Sequence, residues 1–311
     1  MALVDATSSM NVEIFIADTD AYSILFHTMY LKFFERHRLE WLGFAECCRL
    51  AAEEGLVLQE LATRHVRYYD SARLGDVCVT SAAVVEFDGV AAVFNHTFHL
   101  LEGDKPGKLL TRTVSQVGFV DGATGRGVPF PPSVMGGLLS GAAPTIGKSA
   151  KSSVFGGGPP PIVGALPPAH VWPHKIYPDL CDSSSSIMHL HALDLFERAR
   201  SSAMGGAITL ERQKEQSGNL FVVGRMDNIS YNAAAPARLG DECEVHTRCA
   251  LRYNKVCLVF FHELRRKGES TAIISGSVSV YSISRDKKPV PIAGWLEALM
   301  QPHMVQLKGG R

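Results

Sequence analysis

Residues 13–38 read EIFIADTDAYSILFHTMYLKFFERHR, and residues 175–200 read KIYPDLCDSSSSIMHLHALDLFERAR. The two stretches align without a gap at an offset of 162. Ile14 falls on Ile176, Asp20 on Asp182, Ser23 on Ser185, His27 on His189 and Leu31 on Leu193. Phe34-Glu35-Arg36 falls on Phe196-Glu197-Arg198. Further on, Ala72-Arg73-Leu74-Gly75-Asp76 recurs as Ala237-Arg238-Leu239-Gly240-Asp241, at an offset of 165. Two matches in the same order at nearly equal offsets mark an internal duplication, and a repeat of this length means two copies of one folding unit.

Between the copies, residues 131–168 are crowded with Gly, Pro, Ser and Ala, including Gly156-Gly157-Gly158 followed by Pro159-Pro160-Pro161. Such composition reads as a linker or long crossover. The expected organisation is a domain over 1–130, a linker over 131–168 and a second domain over 169–311. Ala142 to Ser149 (AAPTIGKS) fits a loose phosphate-loop pattern, but a working phosphate loop needs a buried strand before it and a helix after it. Neither is legible in this stretch.

Within the first copy, Val12 to Ala17 is a short apolar run that ends at Asp18-Thr19-Asp20. A helical segment follows, with Ile24, Leu25, Met29, Leu31, Phe33, Phe34, Trp41 and Leu42 supplying its apolar face. Acidic residues ahead of a helix suit its amide-rich, positive end. Strand-like runs then lie near 57–70, 76–86, 89–101 and 108–120, bounded by Gly and Asp. The second copy repeats the order: a short strand near 173–178, a helix from about 184, then strands near 219–231, 241–252, 255–267 and 270–283. One long helix with a meander of antiparallel strands is an α+β pattern. A unit of this kind leaves sheet edge and helix flank exposed, so the two copies are expected to pair within the chain as a pseudo-dimer.

The balance of charge excludes some partners. Lys+Arg and Asp+Glu number 31 each, so the net charge is zero. That argues against a broad phosphate-binding surface for nucleic acid. No apolar run approaches the roughly 20 residues of a membrane helix, and the first ten residues do not read as a secretory signal. The seven cysteines are scattered without a C-x-x-C pair, so neither a metal site nor a disulfide scaffold is expected. A reducing compartment such as the cytoplasm is the simplest reading.

Asp18-Thr19-Asp20, Phe26-His27, Tyr30, Leu31 and Phe34-Glu35-Arg36 together resemble the hot-dog acyl-CoA thioesterases of the 4-hydroxybenzoyl-CoA thioesterase type. Ala72-Arg73-Leu74-Gly75-Asp76 looks like a strand start of that family, and Gly118-Phe119-Val120-Asp121 with Thr124-Gly125-Arg126 resembles its closing strand. The resemblance implies two tandem hot-dog domains, each a long central helix wrapped by an antiparallel sheet, with active sites at the seam between units. It implies that Asp20, and Asp182 in the second copy, are the catalytic carboxylates. Two departures stand out. Ser23 and Ser185 occupy the position of the family's glycine, and in the second copy Leu180 replaces Asp18 and Ala192 replaces Tyr30.

The expected activity is hydrolysis of acyl-CoA or acyl-carrier-protein thioesters, without a cofactor or metal. A carboxylate at a helix entry can activate water or attack directly. Amides of a helix's first turn can polarise the carbonyl, and those near Ser23 and Ile24, or Ser185 and Ser186, are the expected oxyanion donors. His27 and His189 are expected two helical turns beyond their aspartates, orienting substrate or assisting the carboxylate. The competing readings are a non-catalytic acyl-thioester binding or assembly module and a hydratase or dehydratase on the same fold. Asp76 and Asp241 are expected to shape turns, and Glu35 and Glu197 to form ion pairs on the helix surface or between units. Assembly of the fused pair into a homo-oligomer is compatible with its exposed surfaces.

Overall fold

The computed structural model describes residues 2–3, 7–20, 23–139, 145–146, 159–181, 186–206 and 218–308, together with 208, 211 and 215. The chain divides into two compact units. The first comprises Met1–Gly156 with Ala233–Pro236, and the second comprises Gly157–Asn232 with Ala237–Arg311. The Gly147-Lys148-Ser149 stretch lies outside the described residues.

In the first unit, β1 (Thr7–Glu13) leads through a loop to α1 (Met29–Leu42) and the short α2 (Phe44–Arg49). β2 (Leu56–Tyr68), β3 (Val77–Phe87), β4 (Ala91–Glu102) and β5 (Lys105–Asp121) follow. All pairings are antiparallel, in the order β1-β3-β4-β5-β2. The meander β3-β4-β5 needs only tight turns, and Gly89 and Gly103 supply left-handed backbone there. Alternation along β4 puts Phe94, His96 and Phe98 on the buried face. α1 lies against that face: Phe34 stacks on His96 at 5.0 Å and meets Phe98 edge-on at 6.1 Å. The helix stops at Gly43, whose φ of 93° continues no right-handed helix.

The second unit repeats this plan. β6 (His170–Lys175) precedes α4 (His189–Ala203), followed by β7 (Leu220–Tyr231), β8 (Glu242–Arg252), β9 (Cys257–Arg266) and β10 (Ala272–Ile283). Their order, β6-β8-β9-β10-β7, matches the first unit strand for strand. Phe196 of α4 stacks on His262 of β9 at 4.9 Å, as Phe34 does on His96. A terminal helix, α5 (Gly294–Met300), buries Leu296 and Met300.

The structure differs from the sequence reading in two places. Pro132–Leu139, at the start of the Gly/Pro/Ser-rich stretch, forms a helix, α3. Val134 and Leu138 enter the core beside Phe119 and Phe130, so the apolar residues here outweigh the two glycines within the helix. Both long helices also begin later than expected, at Met29 and His189 instead of near 24 and 184. The residues before each helix are held in an extended loop by antiparallel bridges Thr19↔Leu25 and Cys181↔Ile187. Among the described residues, no helix is long and apolar enough to cross a membrane.

Candidate active site

The loop that carries Asp20 is built from backbone bonds. The Asp20 amide donates to the Ile24 carbonyl (2.9 Å), and the Ser23 amide donates back to the Asp20 carbonyl (3.0 Å). Ser23 closes this turn with φ of 57°, a left-handed conformation that a glycine adopts without cost. The loop is bolted to the turn at residues 72–76: the Leu25 amide donates to the Ala72 carbonyl (2.9 Å) and the Leu74 amide to the Ser23 carbonyl (3.2 Å). Asp76 shapes that turn, accepting the Arg73 amide at 2.8 Å.

The second copy reproduces the frame. Ile187 donates to Ala237 (2.8 Å), Gly240 to Ile176 (2.9 Å) and Met188 to Leu180 (2.9 Å), the counterparts of Leu25 to Ala72, Gly75 to Ile14 and Phe26 to Asp18. Asp241 accepts the Arg238 amide at 2.9 Å, as Asp76 does for Arg73. Ser186 bridges Arg238 as Ile24 bridges Arg73. Asp182 and Ser185 lie outside the described residues.

Asp18 and Asp20 differ in their surroundings. The Asp18 carboxylate folds back on its own turn and accepts the Phe15 amide at 3.0 Å. Asp20 is half-buried, and its Oδ1 lies 3.4 Å from the Ile24 amide, a long hydrogen bond. A carboxylate in such a position can accept a proton from water or a donor on a ligand. Phe15, in the segment ahead of it, and Leu74, in the turn bonded to Ser23, are 58% and 47% exposed, and Tyr177 and Leu239, at the equivalent positions of the second copy, are 52% and 48% exposed.

Two expectations change. The amides of Ser23 and Ile24 belong to the loop, not to the helix, because the left-handed turn at Ser23 interposes before α1. Both are turned toward Asp20. The helix's own first-turn amides begin at Met29, whose amide donates to Phe26. Ser186 likewise sits in the loop ahead of α4. His27 is also a loop residue, two positions before α1, so it does not share a helix face with Asp20. His189 is the first residue of α4 and is buried.

The histidines point to residues that sequence reading missed. Tyr68, the last residue of β2, meets the His27 ring edge-on at 6.4 Å and donates its hydroxyl to the His27 carbonyl (2.8 Å). Tyr231, the last residue of β7, meets the His189 ring edge-on at 5.3 Å. No motif surrounds either tyrosine; equivalent strand ends in an already aligned duplication were the only signal. Glu197 pairs with Arg200 one turn along α4. In the first unit, Arg38 crosses instead to Glu60 of β2 at 2.7 Å, fully inside the core. Among the described residues, no group of His, Cys, Asp and Glu is placed to hold a metal.

Residues 15–138, which span this loop, α1 and the whole meander, match the model of the thioesterase-like superfamily. The first unit is a hot-dog domain similar to that superfamily. A curated relative, the acyl-CoA thioesterase YbgC of Haemophilus influenzae, is 29% identical over 136 residues, covering 42% of this chain and 94% of the relative. Similar folds extend over both hot-dog units. The crystal structure of a putative oleoyl thioesterase from Lactobacillus plantarum aligns with TM-score 0.67 at 11% identity, covering 89% of this chain and 97% of that one. The 12:0-ACP thioesterase of Umbellularia californica aligns with TM-score 0.62 at 12% identity, covering 89% and 94%. With the strand order and loop bonds repeated in the second unit, the chain is a tandem of two hot-dog domains.

Proposed function

We propose that this tandem hot-dog protein hydrolyses acyl thioesters, with acyl-CoA or an acyl carrier protein as the thiol-bearing carrier, and that Asp20 supplies the catalytic carboxylate. The observation that carries the reading is the half-buried Asp20 in a loop bonded to the turn at residues 72–76, ahead of α1, within the residues that match the thioesterase-like superfamily. In the proposed reaction the carboxylate takes a proton from water, the hydroxide oxygen adds to the thioester carbonyl carbon, and the C–S bond breaks as the carboxyl returns its proton to the departing sulfur. The products are a carboxylic acid and a free thiol. Donors at the helix entry would meet the oxyanion while it develops. Asp182 takes the same role in the second copy, and His27 and His189 line the two helix entries.

The test is thiol release from a panel of acyl-CoA and acyl-carrier-protein substrates, by the wild type, Asp20→Asn, Asp182→Asn and the double variant. The double variant is expected to lose about 100- to 10,000-fold in kcat, the usual worth of a positioned acid or base. Undiminished hydrolysis removes the aspartates from the mechanism. Binding without turnover by the wild type identifies a binding module, and a change at an acyl double bond identifies a hydratase.

A further inference from the structure

Asp20 sits in a loop bonded at more than one point to the neighbouring turn, and one residue of that turn, Ala72, also ties it to α1. The Ala72 carbonyl accepts the Leu25 amide at 2.9 Å, and the Ala72 amide donates to the Tyr30 hydroxyl at 2.9 Å. Ala72 is wholly buried, so its amide is cut off from bulk water and relies on that hydroxyl. Leu25 in turn bridges Thr19, and Ile24 exchanges bonds with Asp20. A continuous path therefore runs from Tyr30 Oη through Ala72 and Leu25 to both flanks of Asp20.

Tyr30 is well placed to anchor it. The residue lies in the first turn of α1, 2% exposed, with its ring edge-on to Phe98 at 5.1 Å and to Tyr68 at 5.6 Å. Burial pushes its ionisation well above the ordinary phenol range, so the hydroxyl stays protonated while its oxygen accepts the Ala72 amide. In the second copy the Ile187-to-Ala237 bond and the Cys181↔Ile187 bridge persist, and Tyr231 still stands by the histidine. Ala192 occupies the equivalent of Tyr30 and offers no hydroxyl to the Ala237 backbone.

We infer that Tyr30 is a positioning residue for the Asp20 carboxylate, and that the first unit is the more active of the two. The inference rests on the hydrolase reading above. It is tested in the full chain with Tyr30→Phe, with 3,5-difluorotyrosine at position 30, and with Tyr69→Phe as an exposed control. Tyr30→Phe is expected to lower kcat by roughly 10- to 100-fold through misplacement of the carboxylate, while KM moves by less than about threefold. Difluorotyrosine keeps the shape but weakens the acceptor oxygen, so a smaller, graded fall in kcat is expected even if Tyr30→Phe fails to fold. Asp20→Asn is expected to remove more activity than Asp182→Asn. A wild type that releases no thiol from any substrate overturns both readings. A working enzyme that is silenced by Asp20→Asn, yet keeps its kcat with difluorotyrosine at position 30, overturns the positioning role alone.

Discussion

Ser23 carries the local tension of the candidate site. A left-handed backbone costs an L-residue about 1–2 kcal/mol, and the Ser23 side chain is exposed, with no buried packing to offset it. Glycine removes that cost but gives the unfolded chain more freedom, worth about 0.5–1 kcal/mol. Ser23→Gly is therefore expected to stabilise the protein by about 0.5–1 kcal/mol, a rise of roughly 1–4 °C in the melting midpoint. Thermal denaturation followed by circular dichroism checks this, and an unchanged or lower midpoint would mean the hydroxyl does more than the geometry indicates.

At the scale of the element, α1 does more than cover the sheet. Its buried face carries His37 and Arg38 alongside Tyr30, Phe33 and Phe34. Arg38 reaches Glu60 at 2.7 Å and Ser115 at 3.2 Å, and the Thr63 hydroxyl donates to Glu60. Breaking a buried pair from one side leaves a charge without its counter-ion, which typically costs about 3–5 kcal/mol. Glu60→Gln is expected to fall in that range. Replacing both partners, as in Arg38→Met with Glu60→Leu, should cost less than the single change. Urea unfolding of the set measures the coupling, and additive losses would show that the pair does not act as a unit. The second unit takes another route, with Arg200 paired to Glu197 on its own helix and lying 5.9 Å over the Phe260 ring.

Across the whole molecule, the two units share a buried histidine stacked on a helix phenylalanine. Burial, then the nearby Arg38 and Arg200, hold His96 and His262 well below the ordinary imidazole range. His37, hydrogen-bonded to Ser8 at 3.1 Å and Thr80 at 3.3 Å, is lowered to about 4 by burial and Arg38. Below pH ~6.5 the unfolded chain binds protons at these rings that the folded chain refuses, so stability rises with pH across this window. His37 alone accounts for a loss of roughly 3 kcal/mol as pH falls from above 6.5 to about 4. Denaturant unfolding at pH 7.5, 6 and 5 is expected to show a progressive decline, with a shallower slope in His37→Gln. A flat profile over that range would contradict neutral burial of the three rings.

The sequence by itself determined the duplication, the α+β pattern, the strand limits to within a few residues and the turn role of Asp76 and Asp241. These follow from local periodicity, from glycine and aspartate chemistry, and from comparison of the chain with itself. It also singled out Asp20 and Ser23, because a short motif lies contiguous in the chain. Only the tertiary structure decided where each helix begins, since the bonds that hold Ile24 and Leu25 out of the helix include ones to a turn some fifty residues away. The same holds for the move of Ser23, Ile24 and His27 from the helix to the loop, for the helix at Pro132–Leu139, and for the parts played by Tyr30, Tyr68 and Glu60. Each depends on a hydrogen bond or a packed ring between residues far apart in sequence. Such contacts leave no periodic trace in the chain, because their energy comes from burial that exists only once the sheet and helix have met.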